Sequence, residues 1–546
     1  RSPMQQAGQT AAQPPVRDIF VKVTATRLRL GGGTTAQTTV TQKERQTFTN
    51  QTSGSGNTLL QGPGNAGVAS DSAGQQHVRG EHAEIAFVVD GVPLPDTLSG
   101  RQGSVVVPAT VDRLNIITGG FAPEFGGQTA AILDITTLPG SRHSHSDLTL
   151  QGGSYDTTNG DFSAVGPLGA NANFVVDIGG TRSLNYVEPQ QPDDQTAHNA
   201  GSDQNYFAKF RYTPSHKDVL TLTLSQAPGT LQLNNRTGLP SSYADVGQGF
   251  GFLGLRDANG VRPDATPATA GLLGAQPMML ASQQADGMDI DQREVNEFAI
   301  ASWRRQLSRT DTGLLSVTLL HSGQDLNNAN PAVDVTNLPV DNSIEYSPTV
   351  TRNVHQVQAT GSITSHRGAH ELKTGFLEDE QSGNESYQIT PDSQLALDEL
   401  AALDGKLAPP GAVQTAGGKP VMDVDGNPVY KASGQQAPLN VHRQGFYRAA
   451  YVQDTWTESR RFAVNYGARV DWFGQTQNLG QAPVNTAELS PRFNFSYILN
   501  HLTTLRWSYN RLFNTPPLAQ GAVVGEAIRP ETLSQYDLSL ERQLGR

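Results

Sequence analysis

The chain has 546 residues, more than one ordinary domain needs, with Lys+Arg 39 against Asp+Glu 51, a formal charge of −12 and no cysteine. The lack of thiols removes disulfides, zinc–thiolate centres and cysteine nucleophiles together, and an acidic balance without a basic block argues against a nucleic-acid partner. No apolar run approaches the roughly 18 residues of a membrane helix, so a helical membrane protein is excluded.

Residues 1–16 are rich in Gln, Ala and Pro, with too little apolar content to fold alone, and are expected to form a disordered tether. Arg1-Ser2-Pro3-Met4 shows no charged segment followed by an apolar one, so any export signal is expected to have been removed or never included, and location must come from architecture. Residues 17–140 have a different character. Short strands are predicted at 18–26, 85–90 and 113–118, with many glycines between them.

From Asp147 onward, apolar and polar residues alternate in runs of about ten, the pattern of strands with two unlike faces. Strands are predicted at 173–182, 205–213, 218–225 and 464–473. One face carries Phe174, Val176, Ile178, then Leu220, Leu222, Leu224, then Val464, Tyr466, Ala468, Val470 and Trp472. The other carries Asp177, Thr221, Thr223, Asn465, Arg469 and Asp471. Very short turns at 213–217, 365–368 and 457–460 alternate with connections of about fifteen to seventy residues, which is how an outer-membrane barrel is strung. Lys209, Arg211, Glu371 and Lys373 then fall where the wall faces a wet interior. A soluble sandwich also alternates, but it needs fewer strands of equal length and buries its apolar face in one core. The fold class expected is mainly β, a transmembrane antiparallel barrel over residues 141–546 with about fourteen strands present, the last at 536–544.

Three ordered motifs lie ahead of the wall: Gly74-Gln75-Gln76-His77-Val78-Arg79-Gly80, then Phe87-Val88-Val89-Asp90-Gly91-Val92-Pro93, then Ile117-Thr118-Gly119-Gly120-Phe121-Ala122-Pro123-Glu124-Phe125-Gly126-Gly127. Within the wall stand Tyr451-Val452-Gln453-Asp454-Thr455-Trp456, Asn465-Tyr466-Gly467-Ala468-Arg469, Ser490-Pro491-Arg492-Phe493 and Asn514-Thr515-Pro516-Pro517. With these, the chain after residue 17 resembles the TonB-dependent outer-membrane receptors. The resemblance implies that 17–140 is an α+β plug inside the lumen of a barrel of about 22 strands. It also implies active uptake of a scarce ligand (siderophore, vitamin, glycan or peptide), driven by an inner-membrane protein of the TonB type and housed in outer-membrane lipid.

Glycines 80, 91, 119, 120, 126 and 127 suit tight turning. Arg79 and Glu124 sit in apolar or glycine-rich surroundings; the family pattern suggests plug-to-barrel ion pairs, and solvated turns are the alternative. Asp90 and Pro93 belong to the same motif set. Asp18-Ile19-Phe20-Val21-Lys22-Val23 is extended and β-branched, suited either to capture by strand addition on the energy-coupling partner or to the first plug strand.

No catalytic site, cofactor or metal is expected. Gly249, Gly251 and Gly254 match G-x-G-x-x-G but lack a preceding strand and following helix, so a flexible loop is expected. Asp423, Asp425, Gly426 and Asn427 begin like a calcium loop, yet Gly434 stands where the acidic twelfth position belongs, so a turn is expected. His143 and His145 with Asp147 are expected to be solvated. A short helix is predicted at 391–403, with Thr390 as N-cap and Leu395, Leu397, Leu400 and Leu403 apolar. Fewer strands than the family uses, with no terminal aromatic strand, lead to the expectation of an incomplete chain, because unpaired edges do not persist in lipid; the alternative is a barrel closing at fourteen strands, whose narrower lumen would hardly hold a plug of about 120 residues. A passive porin and a secreted β-rich adhesin or glycan-binding protein are the rival functions. The first gives no reason for residues 17–140, and the second gives none for the alternation of short and long connections.

Overall fold

The computed structural model describes residues 34–42, 68–70, 76–78, 81–82, 85–97, 105–127, 130–186, 199–232, 290–328, 346–391, 415–416, 419–420, 439–476, 483–516 and 529–542. The shorter strands come first: β1 (Ala36–Thr41), β2 (Val68–Ser70), β3 (Gln76–Val78), β4 (Glu81–His82), β5 (Ile85–Val89), β6 (Val92–Pro93), β7 (Val111–Gly119) and β8 (Ala131–Thr137). The wall follows as β9 (His145–Gly152), β10 (Thr158–Pro167), β11 (Ala172–Ser183), β12 (Gly201–Ser215), β13 (Asp218–Gln232), β14 (Ile290–Gln306), β15 (Asp311–Asn328), β16 (Tyr346–Arg367) and β17 (His370–Pro391). A small hairpin, β18 (Thr415–Ala416) and β19 (Lys419–Pro420), interrupts the next connection. The wall resumes with β20 (Leu439–Trp456), β21 (Phe462–Gln475), β22 (Val484–Asn500), β23 (Thr503–Asn514) and β24 (Glu531–Arg542).

These long strands form one 14-stranded sheet in which sequence neighbours pair antiparallel, with β9 and β24 as its edges. Among the described residues no ladder joins those edges. Every connection at one end of the wall is short, as the sequence implies. The other end is more varied than expected: residues 233–289 and 392–438 make long connections, but 153–157 and 476–483 are short. The last strand begins earlier than predicted, at Glu531, and the predicted strands at 85–90 and 113–118 appear as β5 and β7. The predicted strand at 18–26 lies outside the described residues.

Alternation sorts the wall into two faces. Leu315, Val317 and Leu319 are 48%, 48% and 53% exposed, while Ser316 and Thr318 between them are 5% and 0%. The same holds for Leu220, Leu222 and Leu224 against the buried Thr223 and Ser225. An exposed apolar face over one continuous sheet, with polar side chains on the concave side, is the reverse of a soluble sandwich, which hides its apolar face between two layers. Among the described residues no helix is long and apolar enough to cross a membrane, which says nothing about strands.

At the short-turn rim, below the apolar band, carboxylates tie successive turns together. Asp218 accepts hydrogen bonds from Ser215 Oγ, Trp303 Nε1 and Arg305 Nη1 at 2.7, 3.0 and 3.3 Å. Asp311 does the same with Ser308, Ser365 and Arg367, and these hold its carboxyl well below the usual carboxylate range. Its contribution is therefore present at neutral pH and disappears only as pH falls through that lowered value.

The smaller sheet has the order β1-β7-β8-β5-β6, with β5 parallel to β8 and the other pairs antiparallel. Its one described helical turn is 3₁₀, Pro108–Thr110. Val89, Val92, Leu114, Ile116, Leu133 and Ile135 form a core that continues into Phe298, Ile300 and Leu320, which β14 and β15 point inward. The small sheet thus sits against the concave face of the wall, and apolar burial fixes that position.

Candidate functional site: the seat of the small sheet in the wall

The segment after β7 leaves its sheet, so its carbonyls must find donors elsewhere. The wall supplies them from inward positions on consecutive strands. On β22, Asn494 Nδ2 donates to Phe121 O at 3.3 Å and Arg492 Nη1 to Ala122 O at 2.7 Å. On β21, Arg469 Nη1 donates to Glu124 O at 3.1 Å and to Pro123 O at 3.4 Å. On β20, Gln453 accepts from Glu124 N at 2.9 Å and donates to Glu124 Oε1 at 3.1 Å. On β17, Lys373 Nζ pairs with the Glu124 carboxylate. Gly127 completes the run with a parallel bridge to Asn514, and Thr515 N donates to Gly127 O at 3.4 Å.

Arg469 is the centre of this seat. Its Nε donates to Asp471 Oδ1 at 2.7 Å, and the two side chains are 2% and 1% exposed. Its Nη2 bonds Tyr447 OH at 3.0 Å, and that hydroxyl donates to Asp471 Oδ1 at 2.7 Å. Residues 469 and 471 share a face because strand side chains repeat every second position. The guanidinium lies so close to Gly126 that an added Cβ would come within 2.7 Å of Arg469 Cζ, so a side chain here would have to displace the guanidinium from its hydrogen bonds.

A second seat lies at the β5–β6 turn, where Asp90 and Gly91 have φ of 52° and 87°. Asp90 accepts from Thr137 N at 3.0 Å and Thr137 Oγ1 at 2.7 Å, and Lys209 Nζ from β12 bonds Asp90 Oδ2 at 2.8 Å. Lys209 also donates to Thr137 Oγ1 and Leu138 O, and Arg304 Nη2 donates to Asp90 O at 3.3 Å. Gln358 donates to Pro93 O and Gln356 to Asp96 O, so β16 holds the strap that follows β6.

Of the residues singled out in the sequence, Asp90, Gly91 and Pro93 therefore meet β12, β14 and β16, while Glu124, Gly126 and Gly127 meet β17 and β20 to β23. Gly119 lies against Asp537 of β24, and Gly120 against Thr34. Glu124 is ion-paired to the wall, not a solvated turn. Lys209 and Lys373 point inward but are occupied by the small sheet, whereas Glu371 sits at the rim 3.4 Å from His366. Asp18, Ile19, Phe20, Val21, Lys22, Val23, Arg79 and Gly80 lie outside the described residues, as do Gly249, Gly251, Gly254, Asp423, Asp425 and the segment 392–403; Thr390 and Pro391 end β17. His145 Nε2 and Asp147 Oδ2 are 2.8 Å apart with both side chains well exposed, and among the described residues no three His, Asp or Glu side chains are grouped to hold a metal. Arg469, Asp471, Tyr447, Gln453, Arg492 and Asn494 were not singled out as a site. Their signal was the charged or amide residues repeating at i, i+2 on the non-lipid face of β20 to β22.

A family model described as an outer membrane beta barrel domain matches residues 290–486. The TonB-dependent transporter Oar of Myxococcus xanthus is 34% identical over 79 residues, which are 14% of this chain and 7% of that protein. Among solved structures, FpvA of P. aeruginosa bound to heterologous pyoverdines is similar with TM-score 0.60 and 12% identity, over 94% of this chain and 61% of that one. The ferric citrate transporter FecA in its unliganded form gives TM-score 0.60 and 13% identity, over 94% of this chain and 68% of that one. The chain spans less than two thirds of FpvA's length, and at these identities the likeness is one of fold. A β-wall with a smaller N-terminal sheet seated against its inner face is the fold that this chain shares with these solved structures.

Proposed function

We propose that this protein is an energised outer-membrane importer in which residues 17–140 act as a plug, residues 141–546 as the barrel wall and residues 1–16 as a tether. The observation that carries it is the seat of residues 121–127 across β17 and β20 to β23. A plug fixed only by a dry apolar core would not move. Here the apolar contact with β14 and β15 is joined by a polar seat, in which Asp471 Oδ2 and Arg492 Nε are buried without a hydrogen-bond partner. Such groups each cost about 1–3 kcal/mol, so the seat is less stable than its bond list suggests and is suited to release under an applied force. The cargo belongs to the siderophore, vitamin, glycan or peptide classes.

The purified full chain in a planar bilayer is expected to pass no steady current until urea loosens the plug, when discrete conductance steps appear. A large steady current without denaturant would identify a passive porin instead.

Energy is proposed to enter through Asp18, Ile19, Phe20, Val21, Lys22 and Val23, captured as an added strand by the periplasmic domain of a TonB-type inner-membrane protein. Proline at Val21 or Val23 removes a backbone donor from such a ladder, so Val21→Pro and Val23→Pro are expected to abolish capture in a pull-down while leaving the bilayer behaviour unchanged. Undiminished capture by both variants would remove this segment from the mechanism.

A further inference from the structure

We propose a calcium site in the cavity between the strap after β6 and the inner face of β17. The cavity has a volume of about 70 Å³ and is bordered by Asp96 and Glu124 of the small domain and by Lys373, Asp379, Gln381 and Arg469 of the wall. One water-sized occupant takes about 10–15 Å³, so there is room for a cation with some of its own waters.

Asp379 supplies the reason for an occupant. It is 2% exposed and points inward from β17, its Oδ2 accepts from Gln381 Nε2 at 2.7 Å, and its Oδ1 is buried without a hydrogen-bond partner. A carboxylate oxygen shut away from water needs a compensating charge or donor. The two cationic side chains that border the cavity are already committed, Lys373 to Glu124 and Arg469 to Asp471. Asp96 brings a second carboxylate to the same cavity from the strap after β6, where Thr515 Oγ1 lies 3.4 Å from its Oδ2. Hydrogen bonds from Gln356 and Gln358 to the carbonyls of Asp96 and Pro93 hold that strap in place over the cavity.

Two carboxylates with an amide oxygen and water, and no imidazole or thiolate, make an all-oxygen donor set that suits a hard cation. The cavity leaves the number of ligands adjustable, which favours Ca²⁺ over Mg²⁺ with its strict octahedron. The ion would join the strap to β17, acting as a second fastening of the small sheet.

The test titrates calcium chloride into the full chain, purified in detergent and stripped with EGTA, followed by calorimetry and thermal unfolding. Saturable binding with a rise in unfolding midpoint is expected, with magnesium chloride a poor substitute. Asp379→Asn and, separately, Asp96→Asn are expected to weaken binding about tenfold or more, as loss of one charged ligand does. Absence of calcium binding in the unaltered protein overturns the proposal. So does an affinity in both variants unchanged from that of the unaltered protein, which would locate the ion elsewhere. A gain of stability in Asp379→Asn with no calcium response would mean a proton shared between the carboxyls, and would also overturn it. Binding is read without uptake, so this site and the import function fail or stand separately.

Discussion

Arg469→Ala is expected to loosen the seat of the small sheet by about 3–5 kcal/mol, the range for removing one partner of a buried ion pair. The substitution strands the Asp471 carboxylate, which is fully buried, and takes the donor from the carbonyls of Pro123 and Glu124. In bilayers the urea concentration at which conductance steps appear should fall well below that of the unaltered protein, while the wall's own thermal unfolding changes little. Arg469→Met combined with Asp471→Leu removes both charges and should lose much less, because no ion is left unpaired. Gly126→Ala should cost less in the Arg469→Ala background than alone, since the clashing guanidinium is gone. An unchanged urea threshold for Arg469→Ala would show that apolar packing against Phe298, Ile300 and Leu320 alone retains the sheet.

Asp90→Ala is expected to release the other side, at a cost of about 2–4 kcal/mol. Lys209, whose side chain is 8% exposed, would keep only the neutral acceptors Thr137 Oγ1 and Leu138 O. The amide of Thr137 would also lose its acceptor. Hydrogen exchange should show this locally, with protection lost at the β8 end near Thr137 before any change on β12. Asp90→Asn preserves an acceptor for Thr137 but not the charge, so it should fall between the two. Uniform loss of protection over β1, β5, β7 and β8 would instead mean that Asp90 is needed to fold the small sheet rather than to seat it.

Both effects depend on pairings whose members were partly visible in the sequence. The wall was legible because lipid imposes a strict rule: in β13 and β21 every second residue is apolar, and nothing but a lipid-facing strand requires that over so many segments. Lys209 and Arg469 were legible as inward residues for the same reason. Their partners were not, since Asp90 and Glu124 are far away in the chain and alternation carries no information about which inward side chain meets which turn. The lengths of the connections were read less well, because a turn of a few residues and a longer loop can each close an antiparallel pair at the outer end, as residues 153–157 and 233–289 do.

By itself, the order of residues determined a β-wall with an apolar outer face, a polar inner one and a glycine-rich segment ahead of it, because side-chain period and turn chemistry are local properties. Only the tertiary structure decided that Phe121 to Gly127 lie across β17 and β20 to β23, that Arg469 occupies the space beside Gly126, and that Asp379 and Asp96 border one cavity. Those contacts join residues hundreds of positions apart, and their geometry follows from strand register and from the curvature of the sheet around its cargo of apolar side chains, neither of which a single strand encodes.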